Sequence, residues 1–218
     1  MTGCAIGPNL VWVMKLVVIT CGGPDGMRHE DVARASLAGG CRAVQMRDKD
    51  MTDREFAEVA LRIKGLCRQA HALLFVNDRV DVAAAISSDG VHLGIDDLDV
   101  GSARKLMPPG SIIGFSPEDL EQARAAVESG ADYLGIGPVF GTMTKPDAGK
   151  PISPEGLMPY VKAGIAPVIA VGGITAGNAL EAFEAGAAGV AVASAVAGAP
   201  DMEKATKELM TKIEEACR

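Results

Sequence analysis

A single-domain α/β chain closed as a (β/α)8 TIM barrel is the fold this sequence predicts, on three observations. Eight short apolar runs follow one another in order, stretches with helical spacing separate them, and the runs are continuous in Val, Ile, Leu and Ala rather than alternating. Continuous runs belong to strands covered on both faces, as in a parallel sheet wrapped by helices. An open doubly wound sheet is the alternative. It wants a glycine fingerprint after the first strand, and Thr20-Cys-Gly-Gly-Pro-Asp-Gly26 lacks the G-x-G-x-x-G spacing. With 218 residues and 48% apolar content, one large core suffices and nothing demands a second domain.

The elements are expected in this order. Residues 1–13 form an N-terminal arm with neither the basic start nor the long apolar run of a signal or membrane span, and Met14 is an alternative start for a barrel domain over 14–218. Strands are expected at Leu16–Thr20, Ala43–Met46, Leu73–Val76, Gly90–Leu93, Ile112–Phe115, Tyr133–Ile136, Val168–Val171 and Gly189–Val192. Between the second and third, Asp53–Gln69 carries Phe56, Val59, Ala60, Ile63, Leu66 and Cys67 on one face, with Thr52 and Glu55 spaced as a capping box and Gly65 as a weak point. After the fifth, Ser116-Pro117-Glu118-Asp119 offers a cap, a first-turn proline and early acids. The 26 glycines are spread along the chain, as suits many tight turns.

In such a barrel the strand ends and the loops after them converge on one mouth, whatever their distance in sequence. There the chain places Gln45, Arg47 and Lys49, alternating so that all three point one way; then Asn77 and Asp78; His92, Asp96 and Asp97; Ser116; and Thr142, Thr144 and Lys145. The runs Ala166-Pro-Val-Ile-Ala-Val-Gly-Gly-Ile174 and Gly189-Val-Ala-Val-Ala-Ser194 end in small residues. Gly173, Ala193 and Ser194 thereby leave backbone N–H groups to hold a phosphate. Three cations (Arg47, Lys49, Lys145) beside two carboxylates (Asp78, Asp97) suit a magnesium diphosphate, because Mg²⁺ takes one or two protein carboxylates and fills the rest with phosphate and water.

Plainer readings stand beside these. Asp78 is also placed to cap the helix that follows, residues 47–50 to form a solvated loop with mutual ion pairs, and Asp96, Asp97 and Asp99 to open a helix as an ordinary acidic loop. His92, inside a strand, reads as a packed, hydrogen-bonded histidine; Cys21 reads as a small packed residue, and Gly172 and Gly173 as turn glycines. The net charge of -7, with no basic stripe, argues against a nucleic-acid partner. Five cysteines with no C-x-x-C pair argue against a disulfide framework and for a reducing, cytoplasmic setting.

Taken together, VQMRDKD (44–50), FVNDRVDVA (75–83), DGVHLGIDDL (89–98), IIGFS (112–116), GADYLGIGPVFGTMTKPDAGKP (130–151), PVIAVGGI (167–174) and AGVAVASAV (188–196) resemble the thiamine-phosphate synthase family. The resemblance implies a (β/α)8 barrel that joins hydroxymethylpyrimidine diphosphate to a thiazole phosphate, with Mg²⁺ assisting and pyrophosphate released. It implies Asp78 and Asp97 as metal ligands and Arg47, Lys49, Asn77, Ser116 and Lys145 around the diphosphate. Gln45 is similar to the residue that recognises the aminopyrimidine, and Thr142, Gly173 and Ser194 to the thiazole-phosphate contacts, with Thr144 and Ala193 alongside. The chain departs from the family's usual pattern at Cys21, Ile95 and Pro117-Glu118, on the pocket wall. Two further readings remain: a thiazole tautomerase on the same barrel, and a non-catalytic barrel that binds phosphate ligands. Small-molecule partners are expected, with no membrane contact, and an arm bearing Trp12 that packs under the barrel or on a second copy in a homo-oligomer.

Overall fold

The computed structural model describes residues 8–22, 27–142 and 149–216. The apolar runs form β1 (Leu16–Thr20), β2 (Ala43–Met46), β3 (Leu73–Asn77), β4 (Gly90–Leu93), β5 (Ile112–Phe115), β6 (Tyr133–Ile136), β7 (Val168–Val171) and β8 (Gly189–Val192). Each matches its expected bounds except β3, which extends one residue to Asn77. All neighbours pair in parallel, and β8 returns to β1 with Val190 opposite Leu16, so the sheet closes in the order β1 to β8 and no strand edge is left.

The helices are α1 (Pro8–Val13), α2 (His29–Ala38), α3 (Asp53–Gln69), α4 (Val80–Ala85), α5 (Val100–Leu106), α6 (Leu120–Glu128), α7 (Met158–Ala163), α8 (Ala179–Glu184), α9 (Ser194–Ala197) and α10 (Met202–Ala216), with a 3₁₀ turn at Pro154–Leu157. None of the described helices is long and apolar enough to cross a membrane. The capping box of α3 forms as spaced: Glu55 N donates to Thr52 Oγ1 at 3.3 Å, and Thr52 N donates to Glu55 Oε2 at 3.0 Å. Gly65 sits on that helix facing open space, where it costs only propensity.

The start of α6 differs from expectation. Asp119, not Ser116, is its cap and accepts from Gln122 N at 2.8 Å. The Ser116 hydroxyl is drawn instead to His92, because β5 delivers it to the barrel interior. On the arm, Trp12 is 59% exposed.

Side chains alternate across each strand and divide the core accordingly. Outward residues such as Val44, Leu74 and Leu134 pack under the helices, while Val17, Ala43, Phe75, Tyr133 and Ile169 fill the barrel interior. Each large side chain so buried stabilises the fold by roughly 1.5–3 kcal/mol. The lower rim uses one device twice. Asp89, just before β4, accepts from Leu74 N at 2.8 Å, and Asp132, just before β6, accepts from Ile113 N at 2.7 Å. Both carboxylates satisfy strand N–H groups where the ladder begins. The packed floor they support leaves the opposite mouth open.

Candidate active site

A cavity of about 300 Å³ occupies that mouth, at the C-terminal ends of the strands. Gln45, Arg47, Lys49, Asn77, Asp78, Asp97, Ser116, Thr142, Gly173, Ala193 and Ser194 all line it. Thr144 and Lys145 lie outside the described residues.

The alternation of β2 sets the first group. Val44 and Met46 face the helices, so Gln45 faces inward, 4% exposed, and Arg47 and Lys49 continue its side of the strand into the loop. Residues 47–50 do not pair among themselves through side chains: Lys49 Nζ reaches across to Asp78 Oδ2 at 3.1 Å, and Asp48 turns away to His29.

Asp78 has a left-handed backbone, φ 64°, because the chain must turn sharply as it leaves β3; its N–H donates to the His92 carbonyl at 2.9 Å. It does not cap α4, whose N-cap is Arg79 with no side-chain bond. The acidic loop after β4 divides its work. Asp99 caps α5 by accepting from Ser102 N at 2.9 Å, whereas Asp97 turns into the site and accepts from Gly94 N at 2.7 Å. Burial, together with the Asp78 carboxyl in hydrogen-bond contact, raises the Asp97 pKa despite the Gly94 N–H and the Lys49 charge.

Two carboxyls this close repel when both ionise, and a divalent cation held by both would remove the conflict. Among the described residues no group of three or more His, Cys, Asp or Glu forms a complete cage. Two carboxylates beside a cationic rim fit Mg²⁺, which keeps waters and takes phosphate oxygens.

The cavity floor carries a polar chain. Tyr133 Oη lies 2.9 Å from His92 Nδ1, His92 Nε2 lies 2.9 Å from Ser116 Oγ, and the two rings stack at 5.5 Å. Burial lowers the His92 pKa to about 4, so the ring is neutral at physiological pH. A buried tyrosine hydroxyl donates to Nδ1, which leaves Nε2–H to donate to Ser116 Oγ, and the serine proton is then free to point into the cavity. His92 is thus packed and hydrogen-bonded, as its strand position implies.

Cys21 lines the same cavity, its thiol pKa raised by burial against the opposing effect of Arg47, so it is not a poised nucleophile. The described cysteines Cys21, Cys41 and Cys67 are free thiols, and Cys4 and Cys217 lie outside the described residues.

The glycines after β7 do more than turn. Gly172 and Gly173 have φ of 95° and 65°, and an added Cβ would come within 2.6 Å of Pro138 or 2.8 Å of Phe140. The Asn178 amide secures this loop, accepting from Thr175 N at 2.7 Å and donating to the Gly173 carbonyl at 3.0 Å. Opposite, Ala193 and Ser194 open the single turn of α9 on the cavity wall.

Sequence reasoning missed Tyr133, His29, Arg79 and Asn178. A signal for the first existed. Gly114 and Gly135 interrupt otherwise apolar strands, and interior strand glycines mark a close approach. A Cβ on Gly135 would lie 2.8 Å from His92 Cε1 and 2.9 Å from Ser116 Oγ, and one on Gly114 would enter the Tyr133 ring.

Residues 16–196 match the family described as thiamine monophosphate synthase. A thiamine-phosphate synthase of Archaeoglobus fulgidus is 45% identical over 188 residues, 86% of this chain and 88% of that protein. A bifunctional thiamine biosynthesis protein of Symbiobacterium thermophilum is 44% identical over 211 residues, 97% of this chain, which spans only 43% of that longer protein. Among solved structures, thiamine phosphate pyrophosphorylase from Pyrococcus furiosus superposes with a TM-score of 0.88 at 43% identity, covering 96% of this chain and 100% of that one.

Proposed function

We infer the chemistry of this site from membership: the chain belongs to the thiamine monophosphate synthase family. It is a transferase of thiamine biosynthesis that condenses hydroxymethylpyrimidine diphosphate with hydroxyethylthiazole phosphate, giving thiamine phosphate and pyrophosphate. The observation that carries the reading at this site is the Asp78–Asp97 carboxyl pair with Lys49 bonded to Asp78, at a mouth also lined by Arg47. A phosphate monoester alone needs no such apparatus, so a tautomerase acting on a thiazole phosphate is the poorer fit.

Asp78 and Asp97 would hold Mg²⁺, which when bound neutralises charge on the diphosphate. Arg47, Lys49, Asn77 and Ser116 would surround the same group, with Lys145 assigned there by the family motif alone, Arg47 as a planar fork and the lysines as point charges. The bond from the pyrimidine methylene to the diphosphate oxygen breaks first, and its electron pair leaves with that oxygen. The ring-stabilised methylene cation is then attacked by the thiazole nitrogen, whose lone pair forms the new C–N bond. Gln45 orients the aminopyrimidine. Gly173, Ala193 and Ser194 would hold the thiazole phosphate through backbone N–H groups, with Thr142 on the same cavity and Thr144 assigned to it by the family motif alone. No nucleophile or strong base is required of the protein; it stabilises departing charge and keeps the partners close.

The substrates are small molecules, with no role for nucleic acid or membrane, and the setting is cytoplasmic with a homo-oligomer allowed. The test is direct. Purified protein with Mg²⁺ and both substrates should yield thiamine phosphate and pyrophosphate, and no product above background rejects the reading.

A further inference from the structure

Asp48 stands between Arg47 and Lys49 in sequence but points the other way, out of the cavity. Its Oδ1 accepts from Asp50 N at 2.9 Å and Met51 N at 2.7 Å, folding the loop into a tight turn. Its Oδ2 lies 3.0 Å from Nε2 of His29, a residue 2% exposed at the start of α2. The other ring nitrogen, Nδ1, lies 2.8 Å from Oγ1 of Thr20, which is fully buried at the end of β1. Three hydrogen bonds, from Met51 N, His29 and Asp50 N, outweigh burial and hold the Asp48 carboxyl below its usual range. An ionised carboxylate only accepts, so Nε2 carries a proton toward Asp48, and Nδ1 shares the second hydrogen bond with the threonine hydroxyl.

The imidazole therefore ties the end of β1 and the start of α2 to the one residue flanked by both cations. From the opposite side Arg79 donates to the Asp48 and Met51 carbonyls at 3.1 and 2.7 Å, so the loop is gripped at both edges. Long cationic side chains on an unsupported loop would lose conformational freedom when they close on an anion; a loop already held in place has less to lose.

We propose that His29 is a positioning residue for the diphosphate group: through Asp48 it holds the Arg47–Lys49 segment in its binding geometry, without touching substrate. This rests on the reading of the mouth as a diphosphate site. The hydrogen bonds of the Thr20–His29–Asp48 chain run toward the β2 loop and include none to Gly173, Ala193 or Ser194, so thiazole phosphate serves as the control ligand.

The experiment is calorimetric titration of inorganic pyrophosphate with Mg²⁺, and separately of hydroxyethylthiazole phosphate, into wild type, His29→Leu, His29→Gln and Asp48→Asn. His29→Leu should weaken pyrophosphate binding at least tenfold and leave thiazole phosphate within twofold. His29→Gln, which keeps a donor near Asp48, should recover most of the loss. Asp48→Asn tests the same link if the leucine variant fails to fold, and the double variant His29→Leu/Asp48→Asn should lose no more than the worse single one. Equal weakening of both ligands, additive losses, or pyrophosphate affinity within threefold of wild type in both single variants overturns the proposal. A wild type that binds no magnesium pyrophosphate sinks the diphosphate reading itself, and this one with it.

Discussion

Lys49 Nζ lies 3.1 Å from Asp78 Oδ2, so the cation that follows β2 and the carboxylate that follows β3 share an ion pair across the cavity mouth. Lys49 is 59% exposed, and a pair so open to water adds little to stability, typically under about 1 kcal/mol. Its value is in charge placement. Lys49→Ala should lower kcat by roughly 10²–10³, the usual loss for one preorganised donor to a departing oxyanion, while Tm stays within a few degrees of wild type. Turnover and a thermal melt on the same sample check it.

Asp97 carries a raised pKa through burial and the adjoining Asp78. The folded state thus holds its proton to higher pH than the unfolded chain does, so without a divalent cation stability falls as pH rises through the ordinary carboxylate range and beyond. Asp97→Asn keeps an acceptor for Gly94 N and removes the repulsion. Metal-free Asp97→Asn should melt above metal-free wild type at pH 7, and added Mg²⁺ should stabilise wild type but not the variant. Equal responses to Mg²⁺ would remove Asp97 from the metal site.

His92 titrates in the opposite sense. Its folded pKa, about 4, lies below the unfolded value near 6.5, so stability is unaffected above pH 6.5. Between pH 6.5 and 4 the unfolded chain binds the extra proton, and the native state weakens by up to about 1.4 kcal/mol per pH unit. His92→Gln should show a shallower loss over that window in denaturant titrations. Parallel profiles would mean that another group drives the acid sensitivity.

Gly135→Ala places a methyl 2.8 Å from His92 Cε1 and 2.9 Å from Ser116 Oγ. Overpacking of this kind costs about 1–3 kcal/mol. For a chain of this size the melt should fall by roughly 2–12 °C. Because the methyl displaces the pair at the cavity floor, kcat/KM for the pyrimidine diphosphate should fall more than KM for the thiazole phosphate rises. An unaltered rate would show that Ser116 does not face the substrate.

Most of the barrel was legible because strand and helix periods are local. The continuous apolar runs announced β1 to β8, and Thr52 with Glu55 announced α3. The cap of α6 was misplaced at Ser116 because Ser-Pro-Glu is a good local start, and nothing nearby in sequence shows that His92, on another strand, takes up that hydroxyl. The uses of Asp78 and Asp99 were ambiguous for the same reason: each stands before a helix, yet only Asp99 caps one.

Residue order alone determined that this chain closes as a parallel barrel and which polar side chains arrive at its mouth, because alternation and hydrophobic period act over a few neighbours. Tertiary structure decided which of them touch. The Lys49–Asp78 pair, the Asp78–Asp97 contact, the Tyr133–His92–Ser116 chain and the His29–Asp48 tie join residues from separate strands or from the helices and loops beyond them. Such pairings depend on ring closure and strand register, which only the assembled sheet specifies.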